Sequence, residues 1–282
     1  RQLVRSENAF DSRLVPSLYL ISDKKMVKVK GTLSVSEIEK ALDAPALYSA
    51  RIVLNEGEQI WGGRIADGKF MPYEDGFKTT FSQNSGNQIM PLLLTSDGRY
   101  VWSEAPYDFH IDGNVLTVDN ALAKIETGIV GRTLADAYHH CQRKFFPADG
   151  KLPPAEFFEW AHPEHQLEAH DSRTMGNLQA YEYCEAFADY ADKYPYNEYR
   201  ACWRDGGKAI IQRLHDKAHN WEAVQVLIPE MMATNLMGYW YSCPDMIGGG
   251  SFASFLPGCP IDQDLIVRSA QTHALMPMMQ FS

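Results

Sequence analysis

Three short apolar runs in the second half of this chain each end in one charged residue. Tyr196-Asn197-Glu198-Tyr199 ends in Arg200, Ile210 to His215 ends in Asp216, and Met237 to Pro244 ends in Asp245. An arginine offers a rigid fork of donors, and an aspartate can take or give a proton or accept hydrogen bonds. Charged residues closing successive apolar runs are how a site reads when it is built at the carboxyl ends of barrel strands. Plainer readings stand beside this one: Asp216 can cap the helix that follows it, and Arg200 can pair with Glu198 along the rim. Trp203, Trp221 and Trp240 can form an apolar platform, or fill a core.

The elements that must position these residues divide the chain. Over residues 1–130, short alternating runs flank tight turns. Ser96-Asp97-Gly98-Arg99 and Asp112-Gly113-Asn114 carry the Asp-Gly signal of β-hairpins, which predicts an antiparallel sandwich. The period then changes: Leu134, Tyr138, Cys141 and Phe145 recur at helical spacing behind a capping Thr133, and Pro147 with Gly150 ends that helix. The expected division is a sandwich with its closing helix over 1–150, a linker over 151–177, and a third region over 178–282. Within that last region Leu178 to Tyr190 predicts a helix, Glu222 to Leu236 a helix broken at Pro229, and Asp262 to Ala274 another. Gly207 to His215 is ambiguous, since Ile210, Ile211 and Leu214 fit a helical period. Trp240 is expected within a strand. Gly248-Gly249-Gly250 marks backbone passing close to something.

Several classes are disfavoured by composition. The 282 residues are 45% hydrophobic, 22% charged and 12% aromatic, as expected of a soluble globular protein. Net charge is −10, and no basic run is dense enough to follow a phosphate backbone, so nucleic acid is not an expected partner. No apolar run is long enough to span a membrane. Cys141, Cys184, Cys202, Cys243 and Cys259 are widely spaced and odd in number, which predicts reduced thiols rather than a disulfide framework. His162, His165 and His170 with Glu164, Glu168 and Asp171 match no ligand spacing, so that stretch reads as a solvated connector. No metal or cofactor is expected. A start at Arg1 without Met reads as a processed or trimmed chain.

Three motifs in order carry a family resemblance: Tyr199-Arg200-Ala201-Cys202-Trp203, Asp216-Lys217-Ala218-His219-Asn220-Trp221, and Cys243-Pro244-Asp245-Met246-Ile247-Gly248-Gly249. Together they resemble the second half of the catalytic barrel of glycoside hydrolase family 31, retaining α-glycosidases. Gly57 to Gly63, Pro91 to Trp102 and Phe145-Phe146-Pro147 resemble the same family's N-terminal domain and the approach to its barrel. The resemblance implies a galactose mutarotase-like sandwich followed by a partial (β/α)8 TIM barrel, a mixture of α+β and α/β. It implies Asp216 as acid/base, sixteen residues after Arg200 and five before Trp221. Arg200, Asp245 and Trp221 are implied to bind an α-glycoside.

The family's nucleophile motif, Lys-Phe-Asp-Ala-Gly, has no counterpart here, and the forty residues before Arg200 replace half a barrel. Asp171, Asp189, Asp192 and Asp205 are the nearby aspartates, none in the family's context. Retaining hydrolysis needs two carboxyls about 5–5.5 Å apart. The expectation is therefore a shortened α-glycosidase lacking its nucleophile, or a carbohydrate-binding or interaction protein derived from that fold. A few strands that cannot close leave edges that invite self-association.

Overall fold

The computed structural model describes residues 2–6, 17–22, 25–28, 47–81, 88–153, 168–169, 180–191, 193–194 and 198–281. Strands β1 (Gln2–Ser6), β2 (Ser17–Ser22) and β3 (Lys25–Lys28) form a small antiparallel sheet. Next come β4 (Tyr48–Val53), β5 (Ile60–Arg64), a 3-10 turn η1 (Ile65–Phe70), β6 (Lys78–Thr80) and β7 (Gln88–Thr95). The run continues with β8 (Arg99–Trp102), β9 (Asp108–Asp112), β10 (Val115–Ala121) and β11 (Glu126–Ile129). One antiparallel sheet has the order β4-β10-β9-β6; another runs β11-β8-β7, with β5 also on β7. Both Asp-Gly turns fall where the sequence puts them, joining β7 to β8 and β9 to β10.

Every residue of β7 is buried, and its two faces enter different cores. Ile89 and Leu93 join Val101, Phe109, Ile111, Leu116 and Val118 in the sandwich interior. Met90, Leu92 and Leu94 point the other way, as the period of two requires. They pack with Cys141 and Phe146 at helix α1 (Leu134–Phe145), and with Tyr199, Cys202, Leu214, Met231 and Tyr239 from further along the chain. Helix α1 starts at a capping box in which Thr133 and Asp136 satisfy each other's backbone donors.

The remaining elements are β12 (Glu168–Ala169), α2 (Ala180–Ala191), β13 (Glu198–Tyr199), β14 (Cys202–Trp203), β15 (Ile211–Arg213), α3 (Trp221–Leu236), β16 (Ser242–Cys243), η2 (Phe252–Phe255) and α4 (Gln263–His273). Strands β12-β13-β15-β16 form a parallel sheet in that order. β14 leaves it and pairs in parallel with the start of β7, Cys202 beside Gln88 and Trp203 beside Ile89. The fold is thus mixed α/β, with antiparallel sheets, a short parallel sheet, and β7 as the seam between them.

The ambiguous stretch from Gly207 is extended at Ile211 to Arg213, all three buried, as befits a strand covered on both faces. Two expectations are corrected. Pro229 does not break α3, which runs through it: Leu227, Met231 and Ala233 are buried, and packing offsets the missing hydrogen bond. The backbone of Pro229 and Glu230 also lies so close to Gly68 that a Cβ there would sit 2.7 Å from the Glu230 Cα. Trp240 is half-buried in a turn rather than a strand, because β16 begins only at Ser242.

Candidate active site

Arg200 follows β13, Arg213 is the last residue of β15, Asp216 lies three residues beyond it, and Asp245 follows β16. Because the strands are parallel, all four emerge at one end of the sheet. Arg200 Nη2 lies 2.6 Å from Asp216 Oδ1. Both groups are reachable from solvent, the arginine side chain 19% exposed and the aspartate 39%. The pair offers donors and an acceptor side by side, an arrangement suited to neighbouring hydroxyls.

Behind it stands a second guanidinium that the motif reading missed. Arg213 Nη1 is 3.2 Å from Asp245 Oδ1 and 3.5 Å from Asp216 Oδ1, while its Nε lies 3.6 Å from Glu198 Oε2. One buried cation thus lies against carboxylates carried on or just after three neighbouring strands of the sheet. Glu198 therefore faces Arg213, and Arg200 faces Asp216 rather than Glu198. The signal was faint: a lone arginine three residues before Asp216.

Asp245 is fully buried. Its Oδ2 accepts from the backbone N–H of Lys217 at 2.8 Å and of Gly250 at 2.9 Å. The glycine run makes this possible, since a Cβ on Gly250 would lie 2.6 Å from the carboxylate and one on Gly249 2.6 Å from the Lys217 carbonyl. Asp245 itself sits at φ +91°, a strained conformation for a residue with a side chain. In this arrangement it orders Arg213 and the loop after Asp216.

A further charge cluster supports that loop. Lys217 Nζ lies 3.0 Å from Glu230 Oε2 on α3, and His215 Nε2 lies 3.0 Å from Glu230 Oε1. Burial pushes the Glu230 carboxyl up, but the hydrogen bond with His215 and the charge of Lys217 outweigh it and hold the group below the usual glutamate range. His219 is tied on both ring nitrogens, to the Gly248 carbonyl at 2.7 Å and to the Asp262 N–H at 2.8 Å. Burial lifts the Cys243 thiol to about 12, so no thiolate nucleophile stands beside Asp245. All five cysteines are free, four of them buried.

The other predicted residues lie apart. Trp221 opens α3, exposed, with its Nε1 donating to Asp262 at 3.2 Å. Trp203 is buried against Tyr181 and donates to the Glu104 carbonyl, so it belongs to the sandwich side. Asp205 is buried and paired with Lys208 at 2.7 Å, and with Asp189, Glu182 and Glu185 it lines a cavity of about 480 Å³ whose wall includes neither Arg200 nor Asp216. Asp171, Asp192 and the histidines of the 162–170 stretch lie outside the described residues. Among the described residues no group of three His, Cys, Asp or Glu is placed to hold a metal, and no helix is long and apolar enough to cross a membrane.

Solved structures of family 31 glycoside hydrolases share this fold. A mutant of Kfla1895 in complex with cyclobis-(1->6)-alpha-nigerosyl is 12% identical, with a TM-score of 0.59 over 99% of this chain and 63% of that one. A cycloalternan-degrading enzyme from Trueperella pyogenes, in complex with isomaltose, is 11% identical, with a TM-score of 0.56 over 94% of this chain and 62% of its own. A family 31 sulfoquinovosidase from E. rectale, in complex with an aza-sugar inhibitor, is 10% identical, with a TM-score of 0.56 over 99% and 69%. The sequence matches no protein-family model and no curated protein. The chain has a glycosidase-like fold and spans less than two thirds of the first two of these structures.

Proposed function

We propose that this chain carries the acid/base half of an α-glycosidase site on part of a (β/α)8 barrel. It binds α-glycosides through Arg200 and Asp216, and does not turn them over by double displacement. The observation that carries the reading is the Arg200–Asp216 pair, partly open to solvent at the carboxyl ends of two adjacent parallel strands. Support comes from the sugars held by the similar structures and from the three motifs that bring Arg200, Asp216 and Asp245 together. In this reading Asp216 exchanges the proton and Arg200 holds hydroxyls. Asp245 acts on the sugar through Arg213, and Trp221 borders the site.

Double displacement requires a second carboxylate facing the anomeric carbon, which here must come from outside the described residues or is absent. Asp245 is a neighbouring carboxylate, its Oδ1 lying 3.2 Å and that of Asp216 3.5 Å from one Arg213 nitrogen. It is closed off by Arg213 and two backbone donors. Loss of one catalytic group of this kind removes several orders of magnitude of rate.

The test pairs two measurements on the parent chain and an Asp216→Asn variant. Isomaltose should bind the parent by calorimetry and bind the variant more weakly, while aryl α-glucosides and α-xylosides stay at background with both. Turnover by the parent that the variant abolishes would overturn the non-catalytic part of the reading. Absence of any sugar binding would favour an interaction protein.

A further inference from the structure

We infer that Gln88, the first residue of β7 in the N-terminal sandwich, is a positioning residue for the Arg200–Asp216–Arg213 cluster; this rests on the reading of that cluster as a carbohydrate site. Gln88 is almost fully buried, and its Nε2 donates to the carbonyl of Arg200 at 2.7 Å and to the carbonyl of Arg213 at 2.5 Å. A primary amide has two protons, and both are used. The orientation of the amide follows, because its oxygen in that place would face two carbonyl oxygens.

These two acceptors belong to the residues whose guanidiniums both lie against Asp216 Oδ1, at 2.6 Å and 3.5 Å. One side chain from the sandwich therefore sets the separation of two adjacent strand ends just where the cations leave the backbone. Its own position is fixed by the parallel pairing of β7 with β14. The neighbouring Ile89 carbonyl adds to this by accepting from Arg204 N–H at 3.2 Å and from Tyr239 Oη at 3.1 Å. The sandwich thus contributes to the site without touching a ligand. Displacing reacting or binding groups by about 1 Å can cost on the order of a hundredfold, so removing the brace should be felt at Asp216 although Gln88 never reaches it.

The experiment uses the full chain with Gln88→Met, which keeps the length and removes the donors. Gln88→Glu is a second variant that turns acceptor toward acceptor. Leu116→Ala, in the sandwich core away from the site, serves as a stability control. Isomaltose affinity by calorimetry, thermal unfolding, and the arginine side-chain NMR signals are recorded for each. Both Gln88 variants should lose about tenfold or more in affinity and should shift the Arg200 and Arg213 signals. Leu116→Ala should melt lower with affinity and signals unchanged. Should the parent bind no isomaltose, the carbohydrate reading fails, and Gln88 is judged by the arginine signals alone. Signals and affinity that remain at parental values in Gln88→Met, or that move equally in Leu116→Ala, overturn the inference.

Discussion

Arg213 is the residue on which the site turns, because three carboxylates approach its guanidinium and two of them, on Glu198 and Asp245, are buried. Removing one partner of a buried charge pair typically costs about 3–5 kcal/mol, since the remaining charge cannot regain its hydration. Arg213→Gln should therefore lower the unfolding free energy, read from denaturant titration, by an amount in that range, and adding Asp245→Asn should recover part of it, a coupling a double-mutant cycle would quantify. Strictly additive losses would show that the contact carries no energy. Arg200, Asp216 and Asp245 were legible in the sequence because each closes an apolar run. Arg213 and Gln88 were not: an arginine inside a short strand reads as an edge residue, and the acceptors of Gln88 lie 112 and 125 residues away.

At the scale of elements, long patterns were readable and short ones were not. Helix α1, the helix α4 capped by Asp262, and both hairpins follow from period, caps and turn residues. Strands of two or three residues, such as β13, β15 and β16, carry no period, so only the order of motifs located them. The continuity of α3 through Pro229 depends on packing against η1, which local propensity cannot report. That helix has a consequence for pH, because it carries Glu230. A carboxyl held below its unfolded value adds stability that is present above the ordinary glutamate range and disappears as pH falls through the folded value. The stability difference between the parent and Glu230→Gln should be largest near neutral pH and should shrink below about pH 4, in the usual glutamate range. The check is urea unfolding at several pH values. A difference independent of pH would mean that the Lys217 and His215 contacts do not favour the charged form.

The whole molecule is joined along β7, and this decides how its halves can exist. Met90, Leu92 and Leu94 face away from the sandwich interior, and much of the core they join, including Tyr199, Leu214, Met231, Met237 and Tyr239, lies beyond residue 150. Fully burying a large aliphatic side chain contributes about 1.5–3 kcal/mol, so uncovering three such residues removes stability comparable with that of an ordinary domain. Helix α1 shields part of this face through Cys141 and Phe146, while the end of β7 at Gln88 pairs with β14, which lies beyond residue 150. A chain cut after residue 150 should therefore bind the apolar dye ANS and unfold at lower temperature over a broader range than the intact chain. The intact chain should lose the fluorescence of its tryptophans, which lie both in the sandwich and beyond residue 150, in one transition, because both sides share a core. A 1–150 fragment that melts as sharply and as high as the full chain, with no dye binding, would show that the sandwich carries its own stability and that β7 only borders the second half.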